Sequence, residues 1–238
     1  MPNPSQKYGE TVCCAGVTAE GQWKRLFPVR FRHLKNKFNR WDWVEFSYRP
    51  PSGDTRRESC HVYEDKIVVD GKVPEKDRAN FLNPLVMAST DAAAERGMSL
   101  ALVRPTRSEF RNRRKSARDI ADEREGYRQA IRQSSMLDEE LEQLEPVPYD
   151  FEFVYEDRAG KHKMQCGDWE TSAAFWNISR SRGEDGALAH LVKTYNEDYP
   201  KKGMVFALGT MKKRPNQWLL LGVIRLDEAR QGGFDFDP

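Results

Sequence analysis

Apolar positions in the first seventy residues recur with the two-residue spacing of half-buried strands. Glu10-Thr11-Val12-Cys13-Cys14-Ala15-Gly16-Val17 is short and β-prone, and Thr18-Ala19-Glu20-Gly21-Gln22 supplies a turn. Trp23-Lys24-Arg25-Leu26-Phe27-Pro28-Val29 then returns, which predicts a hairpin. Trp41 to Tyr48 places large residues at alternate positions until Pro50-Pro51-Ser52-Gly53-Asp54 ends the run, and Glu58 to Tyr63 reads as its returning partner. Several short strands separated by turn signals predict a small barrel or curled sheet over residues 8 to 70.

Helix formers dominate Asp77 to Arg96, with Asn83-Pro84 as an interruption, and Leu100-Ala101-Leu102-Val103 has the unbroken apolar character of a buried strand. From Ser108 to Leu144 the residues turn to Arg, Lys, Glu, Gln and Ala, which favours a long helical arm over a strand. Its apolar positions Phe110, Ile120, Tyr127, Ile131, Leu137, Leu141 and Leu144 form a sparse face, enough to pack on one side. Pro146 and Pro148 mark the next boundary. Tyr149 to Tyr155 alternates as a strand, Gly160 turns the chain, and Lys161 to Cys166 returns. Asp168 is placed to cap a helix over about Trp169 to Arg182, and Ala187 to Glu197 predicts another. Met204 to Thr210 and Trp218 to Ile224 are apolar on both faces, as central paired strands are. The pattern therefore predicts an α+β chain. It divides into a β-rich barrel-like region (1–105), a charged helical arm (106–146), an α+β region (147–230) and a flexible acidic-aromatic tail (231–238).

Composition narrows the class. With 38% hydrophobic and 32% charged residues the chain can bury a core and is not disordered. No apolar run approaches the ~20 residues of a membrane-spanning helix, so no membrane is expected. The start lacks the basic and apolar stretches of a secretory signal, so a cytoplasmic location is expected. Cys13, Cys14, Cys60 and Cys166 include an adjacent pair too constrained to bridge to itself, and reduced thiols fit that compartment.

A net charge of +2 conceals strong segregation. Lys24, Arg25, Arg30, Arg32, Lys35, Lys37 and Arg40 fall in a stretch without Asp or Glu, interleaved with Phe27, Phe31 and Phe38 and flanked by Trp41. Cations for phosphate and aromatic faces for bases are what a nucleic-acid groove uses. Simple strand alternation with a solvated rim produces the same interleaving. Arg104, Arg107, Arg111, Arg113, Arg114, Lys115 and Arg118 form a second basic stretch opposed only by Glu109, after which the arm reverses to net negative as far as Glu145. Pairs such as Arg118 with Asp122 would stabilise a solvated helix, while a basic half meeting phosphate is the functional alternative. Lys212-Lys213-Arg214 at the tip of the last hairpin is the third stretch. Were the three to converge, they would form one channel.

Other chemistry is thin. His33, His61, His162 and His190 are scattered and no Cys-x-x-Cys occurs, so neither a metal nor a cofactor is expected. Cys60-His61 are neighbours on a strand and face opposite ways. Asp150 and Glu152 share a strand face, as some metal-dependent nucleases require, without the expected following lysine and second acid. Phe234-Asp235-Phe236-Asp237, after Gly232-Gly233, has the form of a short docking peptide for a protein partner, or of a frayed end.

Lys7-Tyr8-Gly9-Glu10-Thr11-Val12-Cys13, Arg25-Leu26-Phe27-Pro28-Val29-Arg30-Phe31-Arg32, Asp168-Trp169-Glu170, and Leu208-Gly209-Thr210 with Pro215-Asn216-Gln217-Trp218-Leu219-Leu220-Leu221-Gly222 resemble a family of uncharacterised bacterial proteins over nearly the whole chain. Its members carry clustered Cys and His before the Asp-Trp-Glu step, and here only His162 and Cys166 fall in that window. The resemblance implies a bacterial origin and a shared architecture. It carries over neither catalytic residues nor a substrate.

The sequence thus points to a non-catalytic nucleic-acid-binding protein or accessory subunit in a bacterial DNA or RNA transaction. A metal-dependent nuclease is the enzymatic alternative. A protein-interaction module acting through the acidic arm or the tail is the third reading.

Overall fold

The computed structural model describes residues 3–5, 9–30, 38–134 and 145–227. The architecture is α+β. In chain order the strands of the first half are β1 (Asn3–Ser5), β2 (Gly9–Val17), β3 (Trp23–Val29), β4 (Asp42–Glu45), β5 (Tyr48–Arg49), β6 (Ser59–Val62) and β7 (Val68–Lys72). The expected hairpin of β2 and β3 forms, its turn closed by Gly21, whose φ of 77° is one that glycine adopts without strain. β1, β2, β3, β6 and β5 make one sheet in that order, with β3 and β6 parallel.

No closed barrel is found among the described residues. The run expected as one strand from Trp41 to Tyr48 splits in two. β4 pairs with β7 as a separate ribbon, and only β5 meets β6. The break falls at Phe46 and Ser47, where the carbonyl of Ser47 accepts the Tyr63 amide and turns the chain onto the first sheet.

The helices α1 (Glu75–Leu82) and α2 (Thr90–Glu95) flank the expected Asn83-Pro84 interruption and the short strand β8 (Val86–Met87). β9 (Leu100–Val103) is buried throughout and pairs parallel with β8 and antiparallel with β13 (Met204–Met211). β13 pairs in turn with β14 (Arg214–Arg225), completing the sheet order β14-β13-β9-β8. β13 is therefore central, and β14 closes that ladder.

The largest departure from the sequence reading lies in the arm. Residues Arg107–Arg114 are strand β10, not helix, and pair along their whole length with β11 (Tyr149–Asp157), which continues into β12 (Gly160–Gln165). Helix propensity differences of a few tenths of a kcal/mol per residue are outweighed once a ladder forms and Phe110 enters the core. Phe110 is 3% exposed and lies 5.0 to 5.5 Å from the rings of Phe151, Phe153 and Tyr195. The helix α3 (Ala117–Ser134) begins only after Ser116, whose hydroxyl accepts the Asp119 amide while the Asp119 carboxylate accepts the Ser116 amide.

The helix α4 (Trp169–Lys193) starts at Asp168 as expected. It runs through the region assigned to a second helix, with one non-helical residue, Gly183, marking the break between them. A wide turn leads to α5 (Tyr199–Lys202). Phe153, Tyr155, Phe175, Phe206 and Leu208 centre the main core. A second core gathers Leu26, Val29, Cys60, Val62 and Ile67, and a third, around Leu82, Leu102, Val205 and Leu226, joins the two halves. Among the described residues no helix is long and apolar enough to cross a membrane.

Candidate nucleic-acid interface

Above the joining core lies an open cleft of about 1020 Å³. Trp23, Trp41, Trp43, Phe46, Phe81 and Trp169 line it, together with Lys24, Arg40, Lys72 and Arg78 and the acids Asp42 and Glu170. The aromatic positions come from separate elements. Trp23 opens β3, Trp41 precedes β4, Phe81 sits on α1, and Trp169 is the first residue of α4.

Local structure holds these rings in place. Trp41 adopts φ 77°, a left-handed conformation that costs a bulky residue about 1–3 kcal/mol. Two contacts hold it there. Its carbonyl accepts the Val73 amide at 2.7 Å, and the Arg78 guanidinium lies 4.7 Å over its ring. Trp43 meets Phe81 edge-on at 5.4 Å. Trp169 is 47% exposed and lines the mouth. The buried Nε1 of Trp23 has no partner among the described residues.

The base of α4 is fixed by charge. Asp168 is 3% exposed; one of its oxygens accepts the Glu170 amide at 2.9 Å and the other the Val223 amide at 2.8 Å. Arg40 reaches across to the same carboxylate and donates to the Val223 carbonyl at 2.8 Å, while its Nε lies 3.0 Å from Glu170. Burial pushes the Glu170 carboxyl above its ordinary value; Arg40 opposes this and Asp168 adds to it. Gly167 is required just before, because a Cβ there would stand 2.8 Å from the Leu220 carbonyl oxygen.

The cations singled out in the sequence fall into distinct environments. Lys24 is half-buried, lines the cleft and lies 5.7 Å over the Tyr48 ring. Arg25 is 5% exposed and donates to Ser99, which places it inside the fold. Arg30 pairs with Glu64 through its side chain and its backbone amide. Arg32, Lys35 and Lys37 lie outside the described residues, as do Phe234, Asp235, Phe236 and Asp237 of the tail.

In the second stretch Arg104 donates to the Leu226 carbonyl and the Asn83 side chain, and most of the other cations meet an acid. Arg111 pairs with Glu109, Arg113 with Asp150, Arg114 with Glu184, and Lys115 with Glu123. Lys212, Lys213 and Arg214 are exposed at the hairpin tip, and Lys212 lies beside the loop that holds Gly53. The cleft therefore takes Lys24 and Arg40 from the first stretch and no residue from the other two. Lys72, Arg78, Phe81 and Trp169 join it without having been singled out. The basic-aromatic stretch from Lys24 to Trp41 and the alternating tryptophans at 41 and 43 were the local signals for this surface.

Asp150 and Glu152 do share a strand face, but Arg113 lies 2.7 Å from the first and Lys163 3.1 Å from the second. Among the described residues no three His, Cys, Asp or Glu side chains group as metal ligands. Cys60 and His61 point apart as expected. Burial raises the Cys60 thiol against the pull of Lys24, and His61 lies 3.3 Å from Arg49.

Residues 85–237 match the family described as Domain of unknown function (DUF8757), and the chain belongs to it. Residues 1–86 match Domain of unknown function (DUF8758). No curated protein and no solved structure matches the chain.

Proposed function

For this member of the DUF8757 family, we propose non-catalytic binding of single-stranded nucleic acid in the aromatic cleft. The observation that supports it is the combination of aromatic rings with cations on one concave surface: Trp169, 47% exposed, and the partly buried Trp41 and Trp43 beside Lys24, Lys72 and Arg78. Bases stack on aromatic faces whatever their identity, at about 1–3 kcal/mol each, and the cations follow the phosphates. A duplex hides its base faces in its own stack, so this surface favours a single strand. Its volume of about 1020 Å³ lies at the upper end of ligand clefts, which span roughly 300–1,000 Å³, and accommodates bases rather than a whole helix. An accessory role in a DNA or RNA transaction is what such a site serves.

Fluorescence anisotropy with labelled single-stranded and duplex DNA and RNA, at two salt concentrations, tests the reading. Tighter binding of single strands, weakening with salt and quenching tryptophan fluorescence, is expected. No binding, or equal binding of the duplex without quenching, overturns it.

A further inference from the structure

Beside the cleft stands a tyrosine that the fold leaves half in solvent. Tyr48 is 48% exposed and belongs to β5, an edge strand of the first sheet. β5 pairs with β6 so that Tyr48 stands opposite Val62, and β6 pairs with β3 so that Cys60 stands opposite Leu26. Paired residues share a face of a sheet, and so do residues two apart on one strand. Lys24, Leu26, Cys60, Val62 and Tyr48 therefore occupy one face, whose buried members Leu26, Cys60 and Val62 make the second core. Tyr48 is where that face leaves the core and meets water.

Its neighbours are cleft residues. The Phe46 ring, which lines the cleft, lies 5.8 Å from the Tyr48 ring at 47°, and the Lys24 ammonium, which lines it too, lies 5.7 Å from the centre of the same ring. Among the described residues Lys24 meets no carboxylate at ion-pair distance. A cation over an exposed ring is held more weakly than a base stacks on one, so an arriving nucleotide can take both groups, its phosphate on Lys24 and its base on Tyr48. Tyr63 has the same two ingredients in a different place: it is 41% exposed, with the Lys66 ammonium 5.3 Å from its ring centre. It follows Val62 in extended backbone and so points away from the face that carries Lys24 and Tyr48.

We infer that Tyr48 and Lys24 form an exit subsite for one further nucleotide of a single strand whose neighbouring bases lie in the cleft. The inference rests on the single-strand reading of the cleft and adds to it where the strand leaves: past Phe46 and Lys24, over the edge strand β5.

Oligothymidylates and oligouridylates of about 4 to about 12 nucleotides are titrated into the parent, Tyr48→Ala, Tyr48→Phe and Tyr63→Ala, with thermal unfolding to establish that each variant is folded. The shortest strands, held within the cleft, are expected to bind the parent and Tyr48→Ala equally. Longer strands reach the subsite, and there Tyr48→Ala loses about fivefold in affinity, the equivalent of one stacked base, while Tyr48→Phe and Tyr63→Ala bind as the parent does. Equal affinity of the parent and Tyr48→Ala for the longest strand, a loss that is the same at every length, or an equal loss in Tyr63→Ala overturns the exit subsite and leaves the cleft reading standing. A parent that binds no strand overturns both.

Discussion

The guanidinium of Arg40 meets the buried carboxylate of Asp168 at 3.4 Å across 128 residues of chain. One arginine thereby ties the segment before β4 to the start of α4 and, through the Val223 carbonyl, to β14. Arg40 is 28% exposed on its side chain and Asp168 3%, so the pair is shielded on one side only. It builds the wall of the cleft more than it offers a charge to a ligand.

Removing that arginine leaves Asp168 buried with two amide partners and no cation. Arg40→Ala is expected to destabilise the fold by about 2–3 kcal/mol, slightly below the range for breaking a fully buried pair because Arg40 is partly solvated. Urea unfolding measures this, and an unchanged midpoint would show that the pair contributes nothing.

Trp169 follows the cap and lines the cleft mouth, 47% exposed, so it stabilises the fold little. Trp169→Ala is expected to leave thermal unfolding within about 0.5 kcal/mol of the parent while weakening single-strand binding about tenfold, the equivalent of one lost stacked base. A folded variant with undiminished affinity would remove this wall from the binding surface.

Glu170 carries negative charge beside the same mouth, and burial raises its carboxyl above 4.5. A raised carboxyl takes up its proton sooner as pH falls, so the cleft loses a repulsive charge before ordinary carboxylates titrate. Binding by the parent is expected to tighten as pH is lowered from neutral toward that range. Glu170→Gln binds about twofold more tightly at neutral pH, as loss of one half-exposed charge implies, and shows a flatter pH profile. Parallel profiles for parent and variant would refute the assignment.

Asp54 governs stability at lower pH. Burial alone would raise its carboxyl, but hydrogen bonds from Arg56 and Ser59 and the charge of Arg56 outweigh it and hold the group at about 2. Its folded value lies below its unfolded one, so it contributes stability above about 4 that is lost as pH falls toward about 2. Asp54→Asn is expected to flatten the fall in unfolding midpoint across that window, read by denaturant titrations at several pH values. The variant also frees Arg56, which donates to the Thr210 carbonyl at 2.6 Å and links the loop to β13.

Local pattern determined much of this protein by itself. The β2–β3 hairpin, the all-apolar strand β9, the last hairpin and the Asp168 cap were each legible, because alternation, turn residues and capping side chains act between neighbours a few residues apart. Tertiary structure decided the rest. Arg107 to Arg114 became a strand because β11, some forty residues on, supplied a ladder and a pocket for Phe110, and no property of that stretch announces a distant partner. The basic stretches also read alike along the chain, yet Arg25 went inside against Ser99, Arg113 and Lys115 met acids, and Lys24 reached the cleft. Spacing records which side of an element a residue occupies; the charge or ring standing opposite is set by long-range packing, which brought Trp23, Trp41, Phe81 and Trp169 onto one surface.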